Sequence, residues 1–101
     1  MELEIQKTLV VSTAHMTERD DVLLDEYIRN PPSTSLTVDK VDFGWKIHVE
    51  TFTESPINIF KELGFSDGFV KCILLGFIND CEWVNFDCDG PIYYFLPRYE
   101  W

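Results

Sequence analysis

Cationic side chains are scarce: 8 Lys and Arg stand against 18 Asp and Glu, a formal net charge of −10 over 101 residues. Non-specific affinity for nucleic acid comes from neutralising phosphates with cations, so this balance argues against direct DNA or RNA binding. The same repulsion disfavours anionic membrane surfaces. Cysteine is sparse as well, with Cys72, Cys81 and Cys88 at irregular spacing. An odd, irregular set is no disulfide framework, and it reads as reduced thiols, partly or wholly buried, in a cytosolic protein. Long hydrophobic runs are missing. The longest, Cys72 to Ile78, is far too short to span a bilayer. Met1-Glu2-Leu3-Glu4 is acidic where a signal peptide carries positive charge, so the expected location is the cytoplasm of whichever cell expresses the chain. Repeats, low-complexity tracts and long linkers are also absent, and residues 1–101 are expected to form one domain.

What is present is apolar. Hydrophobic residues make up 46% and aromatics 15%, too much for disorder even at this charge. A domain of this size buries roughly 65% of its unfolded surface, enough for one core without staples.

The pattern along the chain predicts an α+β fold. Leu3 to Ser12, with Leu9-Val10-Val11, reads as a first strand. Thr17 caps a helix with Asp20 at the capping-box position, and Leu23, Leu24, Tyr27 and Ile28 give its apolar stripe. Glu18, Asp20 and Asp21 suit the positive end of its dipole. Pro31-Pro32 stop it near Arg29. Leu36 to Asp42 and Trp45 to Thr51 form a hairpin around Asp42-Phe43-Gly44, with Trp45, Ile47 and Val49 facing the core. Pro56 and Gly64 bracket a short helix, Ile57 to Leu63. Ser66 caps the strongest helix, with a stripe through Val70, Ile73, Leu74, Phe77, Ile78 and Cys81. Glu82 to Cys88 is a further strand with Val84, Phe86 and Cys88 on one face. Asp89-Gly90-Pro91 turns the chain into a last short strand, Ile92 to Leu96. The expectation is a mostly antiparallel sheet of about four strands with two main helices on one face, a split βαβ, ferredoxin-like arrangement.

Few constellations carry chemistry. Asp87-Cys88-Asp89-Gly90 at a strand end resembles the phosphatase nucleophile loop of the haloacid dehalogenase superfamily, where paired Asp residues attack phosphorus, handle protons and place magnesium. Pro91 departs from the Thr or Val expected after Gly, and too little chain follows to build that fold. The plainer reading is a turn. Metal-ligand spacings such as Cys-x-x-Cys are missing, and His15 and His48 are isolated. Asp87 and Asp89, two apart, could hold a hard cation weakly. No nucleophile elbow and no phosphate loop occurs, so no cofactor is expected. Ser12 near His15 reads as a hydrogen-bonding group at a helix start.

The acidic and aromatic clusters say more. Glu18, Asp21 and Asp25 fall at i, i+3 and i+7, one outward stripe on the first helix. Asp80, Glu82, Asp87 and Asp89 bracket the last clear strand. Such rows either imitate DNA phosphates for a basic groove or simply solvate an acidic surface. The tail Ile92 to Trp101 is dense in aromatics, which fill cores and also anchor interfaces. Tyr99 and Trp101 are the candidates for exposure.

Leu9-Val10-Val11-Ser12-Thr13-Ala14-His15-Met16-Thr17-Glu18 at one end pairs with Trp83 to Pro91 and Leu96-Pro97-Arg98-Tyr99-Glu100-Trp101 at the other. Together these segments resemble a family of small proteins of unknown function from bacterial plasmids, integrated elements and phages. The middle of the chain is unmatched. The resemblance supplies no catalytic residue. It implies a mobile-element accessory protein in the cytoplasm of a bacterium, or of the host where a phage encodes it, and by analogy an inhibitor of the anti-CRISPR or anti-restriction type.

The resulting expectation is a non-enzymatic acidic protein that binds a basic host protein, such as a CRISPR effector or a restriction enzyme. Its contacts would be Glu18, Asp21, Asp25, Asp87 and Asp89, with Tyr99 and Trp101 as anchors. The alternatives are a small metal-dependent hydrolase built on Asp87, Asp89 and His15, and an oligomeric structural protein.

Overall fold

Alternating burial builds the sheet. In the computed structural model, which describes residues 3–30, 37–49 and 57–101, Trp45 and Ile47 of one strand lie opposite Phe86 and Val84 of the next, all four buried. The strands are β1 (Thr8–Ser12), β2 (Val38–Val41), β3 (Gly44–His48) and β4 (Trp83–Asp87). They form one sheet in the order β1-β4-β3-β2. β1 runs parallel to β4, while β4–β3 and β3–β2 are antiparallel. The α+β class and the mostly antiparallel sheet agree with the sequence. A ferredoxin-like sheet would carry β1 inside, whereas here, among the described residues, β1 pairs only with β4 and ends the strand order.

Helix α1 (Glu18–Arg29) begins as its sequence dictates. The Thr17 hydroxyl accepts from the Asp20 backbone, and the Asp20 carboxylate accepts from Thr17 N at 2.7 Å. Asp20 does more than close a capping box. It is fully buried, and it also accepts from Ser66 N at 2.8 Å and from Ser66 Oγ at 2.5 Å. Ser66 is itself the N-cap of α3 (Asp67–Ile78). One carboxylate therefore ties together the starts of two helices, where their dipoles both favour negative charge.

The same two helices cover one face of the sheet. The Trp45 indole donates to Asp21 of α1 at 2.8 Å, and Phe86, opposite Trp45, stacks on Phe69 of α3 at 4.9 Å. Phe65 stacks on Phe69 at 4.3 Å, and Phe60 from α2 (Ile57–Glu62) packs against both. Aromatic pairs of this kind contribute about 0.5–1.5 kcal/mol each beyond the area they bury.

α3 departs from the expected stripe. Its buried residues are Phe69, Cys72, Ile73 and Gly76, at i, i+3, i+4 and i+7, together with Gly68 and Val70. Ile78 is exposed. The helix is apolar nearly all round, so hydrophobicity alone did not fix which face turns inward. Size did: a Cβ on Gly76 would lie 2.4 Å from Val84 Cγ2, so the helix approaches β4 where there is no side chain.

Two more expectations change. The first strand starts at Thr8, and Leu3 to Lys7 are exposed and lie outside it, with Lys7 O accepting from Glu82 N at 2.8 Å just before the ladder begins. Ile92 to Leu96 is no strand but a turn, with Leu96 N donating to Tyr93 O at 3.1 Å. Pro91 and Pro97 flank it, and proline cannot donate to a ladder. The Pro31-Pro32 helix stop, the hairpin ends Leu36, Glu50 and Thr51, and the Pro56 helix start lie outside the described residues. No helix among the described residues is long and apolar enough to cross a membrane.

Candidate functional site

β1 and β4 are parallel neighbours, with Ser12 opposite Asp87, so their C-terminal ends open side by side. The β2–β3 turn reaches the same end, since Gly44 pairs with Asp87 and Phe43 O accepts from Cys88 N at 2.9 Å. After β1 the chain makes a 3-10 turn over Thr13–His15. The Ser12 hydroxyl starts it by accepting from Ala14 N at 3.0 Å. After β4 it makes a tight turn. Asp87 Oδ1 accepts from Asp89 N at 2.8 Å and Asp87 O from Gly90 N at 2.9 Å, the local bonding that Asp favours at turns.

The C-terminal tail is then laced to the Thr13–His15 turn. Ser12 N donates to Pro91 O at 2.8 Å, and Tyr99 N donates to Ala14 O at 2.8 Å. Between these lies His15, fully buried. Tyr93 N, which can only donate, meets Nε2 at 2.9 Å, and Pro97 O, which can only accept, meets Nδ1 at 2.7 Å. The imidazole is therefore neutral, with its proton on Nδ1, and both nitrogens are used. Tyr99 completes the lacing by accepting from Gly68 N at 3.1 Å. A Cβ on Gly68 would fall 2.4 Å from His15 O and 2.6 Å from the Tyr99 ring, so only glycine lets α3 start against this turn.

Between the turns and the tail lies a shallow depression of about 520 Å³, lined by Ser12, Thr13, Ala14, Cys88, Ile92, Tyr99, Glu100 and Trp101. None of its lining residues is a cation. Trp101 is 56% exposed, and Phe43, Ile92, Tyr94 and Phe95 are also exposed large apolar groups. In the turn that contributes Cys88 to the lining, the possible ligand atoms of Asp87, Cys88 and Asp89 lie within 4.8 Å of one another. One turn supplies all three groups, and one Asp87 oxygen already serves that turn. A hard cation takes six or more oxygens, so this set alone is a thin cradle for one.

Residues 8–101 match a family described as "Family of unknown function (DUF5983) C-terminal domain". The chain belongs to the DUF5983 family. No match was found among curated proteins or among solved structures. The two end segments that carried the resemblance in the sequence are the two that the His15 lacing holds together in this DUF5983 chain.

Of the residues singled out from the sequence, Trp101 lines the depression, while Asp87 and Asp89 lie in the turn whose Cys88 also lines it. Tyr99 arrives there too, but half-buried and bonded to Gly68 rather than exposed. The expected outward stripe on α1 is split. Glu18 is exposed, Asp21 turns in to hold the Trp45 indole, and Asp25 pairs with Arg29 one turn on. His15 is buried in the tail lacing, and Ser12 caps its turn as expected.

Sequence reasoning overlooked Thr13, Ile92 and Glu100 in the depression of this DUF5983 chain, and it placed Cys88 on the core face of β4. Their meeting depends on the tail folding back, which no local pattern announces. It also missed the opposite sheet face, where Lys46 lies over the Trp83 ring at 4.5 Å and His48 meets its edge at 4.7 Å. Trp83 Nε1 and Asn85 Oδ1 are buried on that face without a hydrogen-bond partner among the described residues. A second depression of about 450 Å³ lies between α1 and the end of α2, with Leu23, Tyr27, Leu63 and Phe65 in its walls. The three thiols are free. Cys72 and Cys81 are buried and Cys88 is exposed. Burial pushes the Cys72 thiol up to about 12.

Proposed function

We propose that this chain is a non-enzymatic interaction protein that docks a basic partner protein on the sheet end formed by Asp87, Asp89, Glu100 and Trp101. One observation carries the reading. The exposed Tyr94 and Phe95 lie between the two residues whose backbone His15 holds, and the exposed Trp101 lines one depression with Glu100, the pairing of aromatic anchor and charged rim that specific interfaces use. A formal charge of −10 speeds encounter with a cationic surface. In its finer form, the partner is a host nucleic-acid-processing or defence protein. The chain is then a cytoplasmic inhibitor carried by a mobile element or phage, of the anti-CRISPR or anti-restriction kind. That form rests on the acidity and on the resemblance of the chain's two ends.

The hydrolase alternative draws support from the proximity of Asp87, Cys88 and Asp89. It loses its third member, because His15 has no nitrogen left to take a proton from substrate or water.

The test is capture from a bacterial lysate with the wild-type chain and with a D87K/D89K/W101A variant, at about 50 and about 500 mM salt. A reproducible basic prey that is lost in the variant and at high salt is expected. Prey retained by the variant and indifferent to salt would overturn the reading. Heat on titration with magnesium, manganese or zinc would revive the metal-dependent alternative, and light scattering decides whether the chain assembles with itself.

A further inference from the structure

We infer that the C-terminal tail is a strap buckled by His15, which holds it against β1 at neutral pH and releases it when the imidazole takes a second proton. The inference stands whether or not the chain docks a basic partner.

The strap covers a sheet edge. Backbone groups alternate sides along a strand, and Lys7 O faces β4, where it accepts from Glu82 N at 2.8 Å. Val10 O and Ser12 N therefore face the other way, on the side of β1 that ends the strand order. The tail takes both. Tyr93 Oη donates to Val10 O at 3.3 Å, and Ser12 N donates to Pro91 O at 2.8 Å. The tail thus lies where a fifth strand would pair, and it blunts an edge that could accept a foreign strand.

The buckle is the imidazole. Its Nε2 accepts from Tyr93 N at 2.9 Å and its Nδ1 donates to Pro97 O at 2.7 Å. These bonds hold the middle of the strap, and the ring is fully buried. A protonated imidazole is a donor at both nitrogens. Its second N–H would point at the Tyr93 N–H, donor against donor. The proton and the strap compete for one lone pair.

Neighbouring side chains do not relieve that conflict. The tail brings Tyr93, Arg98, Tyr99 and Glu100 to this region, the start of α3 brings Asp67, and the start of α1 brings Glu18 and Asp20. Arg98, Glu100, Asp67 and Glu18 are exposed. Asp20 is bonded to Thr17 and Ser66, and the Tyr99 hydroxyl to Gly68 N. Tyr93 stacks on the imidazole at 6.3 Å with its hydroxyl on Val10 O. Among the described residues no carboxylate bonds the ring, so none accepts from a protonated Nε2.

The sign is fixed by proton count. With the tail released, the imidazole titrates as an ordinary histidine, near about 6.5. The released form binds a proton for which the laced form has no place, so acid favours release. The lacing is whole above about pH 7 and is drawn down as pH falls below about 6.5. The Trp101 depression goes with it, because its lining comes from both the tail and the Thr13–His15 turn.

The experiment is amide hydrogen exchange of the full chain by nuclear magnetic resonance, from about pH 7 to about pH 5, with nitrogen-15 shifts of the His15 ring followed alongside. Protection of the Ser12, Tyr93 and Tyr99 amides is expected to fall about tenfold per pH unit below about pH 6, the slope of one linked proton. The His48 and Val49 amides, bonded to Thr37 O and Glu82 O within the sheet, are the internal reference and should fall less. His15→Gln supplies a neutral carboxamide that can accept from Tyr93 N and donate to Pro97 O but cannot titrate. Its tail amides should keep their protection across the range.

Equal slopes for tail and sheet amides in the wild type would overturn the inference. So would the same tail slope in His15→Gln, or ring shifts that report an imidazolium while the tail stays protected. Should the glutamine variant not fold, the wild-type comparison of tail with sheet decides by itself.

Discussion

His15 shows how a side chain that looks catalytic in sequence can be committed to structure. Its ring is surrounded by backbone from two distant segments, and each nitrogen has one obligatory partner. Replacing it by alanine strands the buried Tyr93 N–H and Pro97 C=O. A buried polar group left unmade costs about 1–3 kcal/mol, so His15→Ala should destabilise the chain by about 3 kcal/mol or more. Denaturant unfolding measures the loss, and exchange of the Tyr93 amide should speed before the rest of the sheet opens. An unaltered midpoint would show that the lacing contributes nothing. The thiols give a second residue-scale prediction. At neutral pH one thiol, Cys88, should react rapidly with a colorimetric disulfide reagent, and all three should react in denaturant. Cys72 also fixes a sign for alkaline stability. Burial raises its pKa from 9.0 to about 12, so the unfolded chain loses this proton first as pH rises. The stability this neutral thiol contributes is complete below about pH 9 and is lost between 9 and about 12. Cys72→Ala should flatten the pH dependence in that window, whatever it does to stability at pH 7.

At the scale of elements, close approach decides more than hydrophobicity does. α3 lies on β4 over Gly76, where an added methyl would meet Val84 Cγ2 at 2.4 Å. Val84 is fully buried and β-branched, so it has no free rotamer into which to retreat. Gly76→Ala raises helix propensity by about 1 kcal/mol, yet overpacking costs typically 1–3 kcal/mol. The expected sign is a lower melting temperature, which a thermal scan checks directly. A higher melting temperature would mean that the helix can lift away at little cost. This glycine also marks the limit of what the sequence discloses. The capping box at Thr17 and Asp20, the hairpin face of Trp45, Ile47 and Val49, and the Asp89-Gly90 turn are legible, because each rests on residues close together in the chain. The inward face of α3 is not, since Phe69, Cys72, Ile73 and Gly76 compete with an equally apolar neighbouring stripe. Nor is the tail. Tyr93 N finds its partner 78 residues away in His15, and local alternation there reads as a strand. The candidate site shares that fate: Asp87, Asp89 and Trp101 are visible one by one, while the groove that Trp101 shares with Thr13, Cys88 and Ile92 exists only after the tail returns.

For the molecule as a whole the governing quantity is unbalanced charge. Eighteen carboxylates face eight Lys and Arg, and many of the acids, among them Glu18, Asp42, Asp67, Asp80, Asp89 and Glu100, are exposed at scattered points of the surface. Arg29 answers Asp25, but both are partly in water, where such a pair is worth about 0–1 kcal/mol. Self-repulsion therefore opposes the compact state at neutral pH. Added monovalent salt screens repulsion between exposed charges beyond about 10 Å at 0.1 M. Unfolding is thus expected to shift upward as sodium chloride rises from about 0.02 to about 0.2 M, by a few degrees for a domain of this size. The same salt should weaken capture of a basic partner, because it screens attraction as readily as repulsion. Opposite signs for stability and for binding in one titration are what an acidity directed at a partner requires. Parallel weakening of both would mean that internal ion pairs hold the fold, and the surface would then have little unpaired charge to offer a ligand.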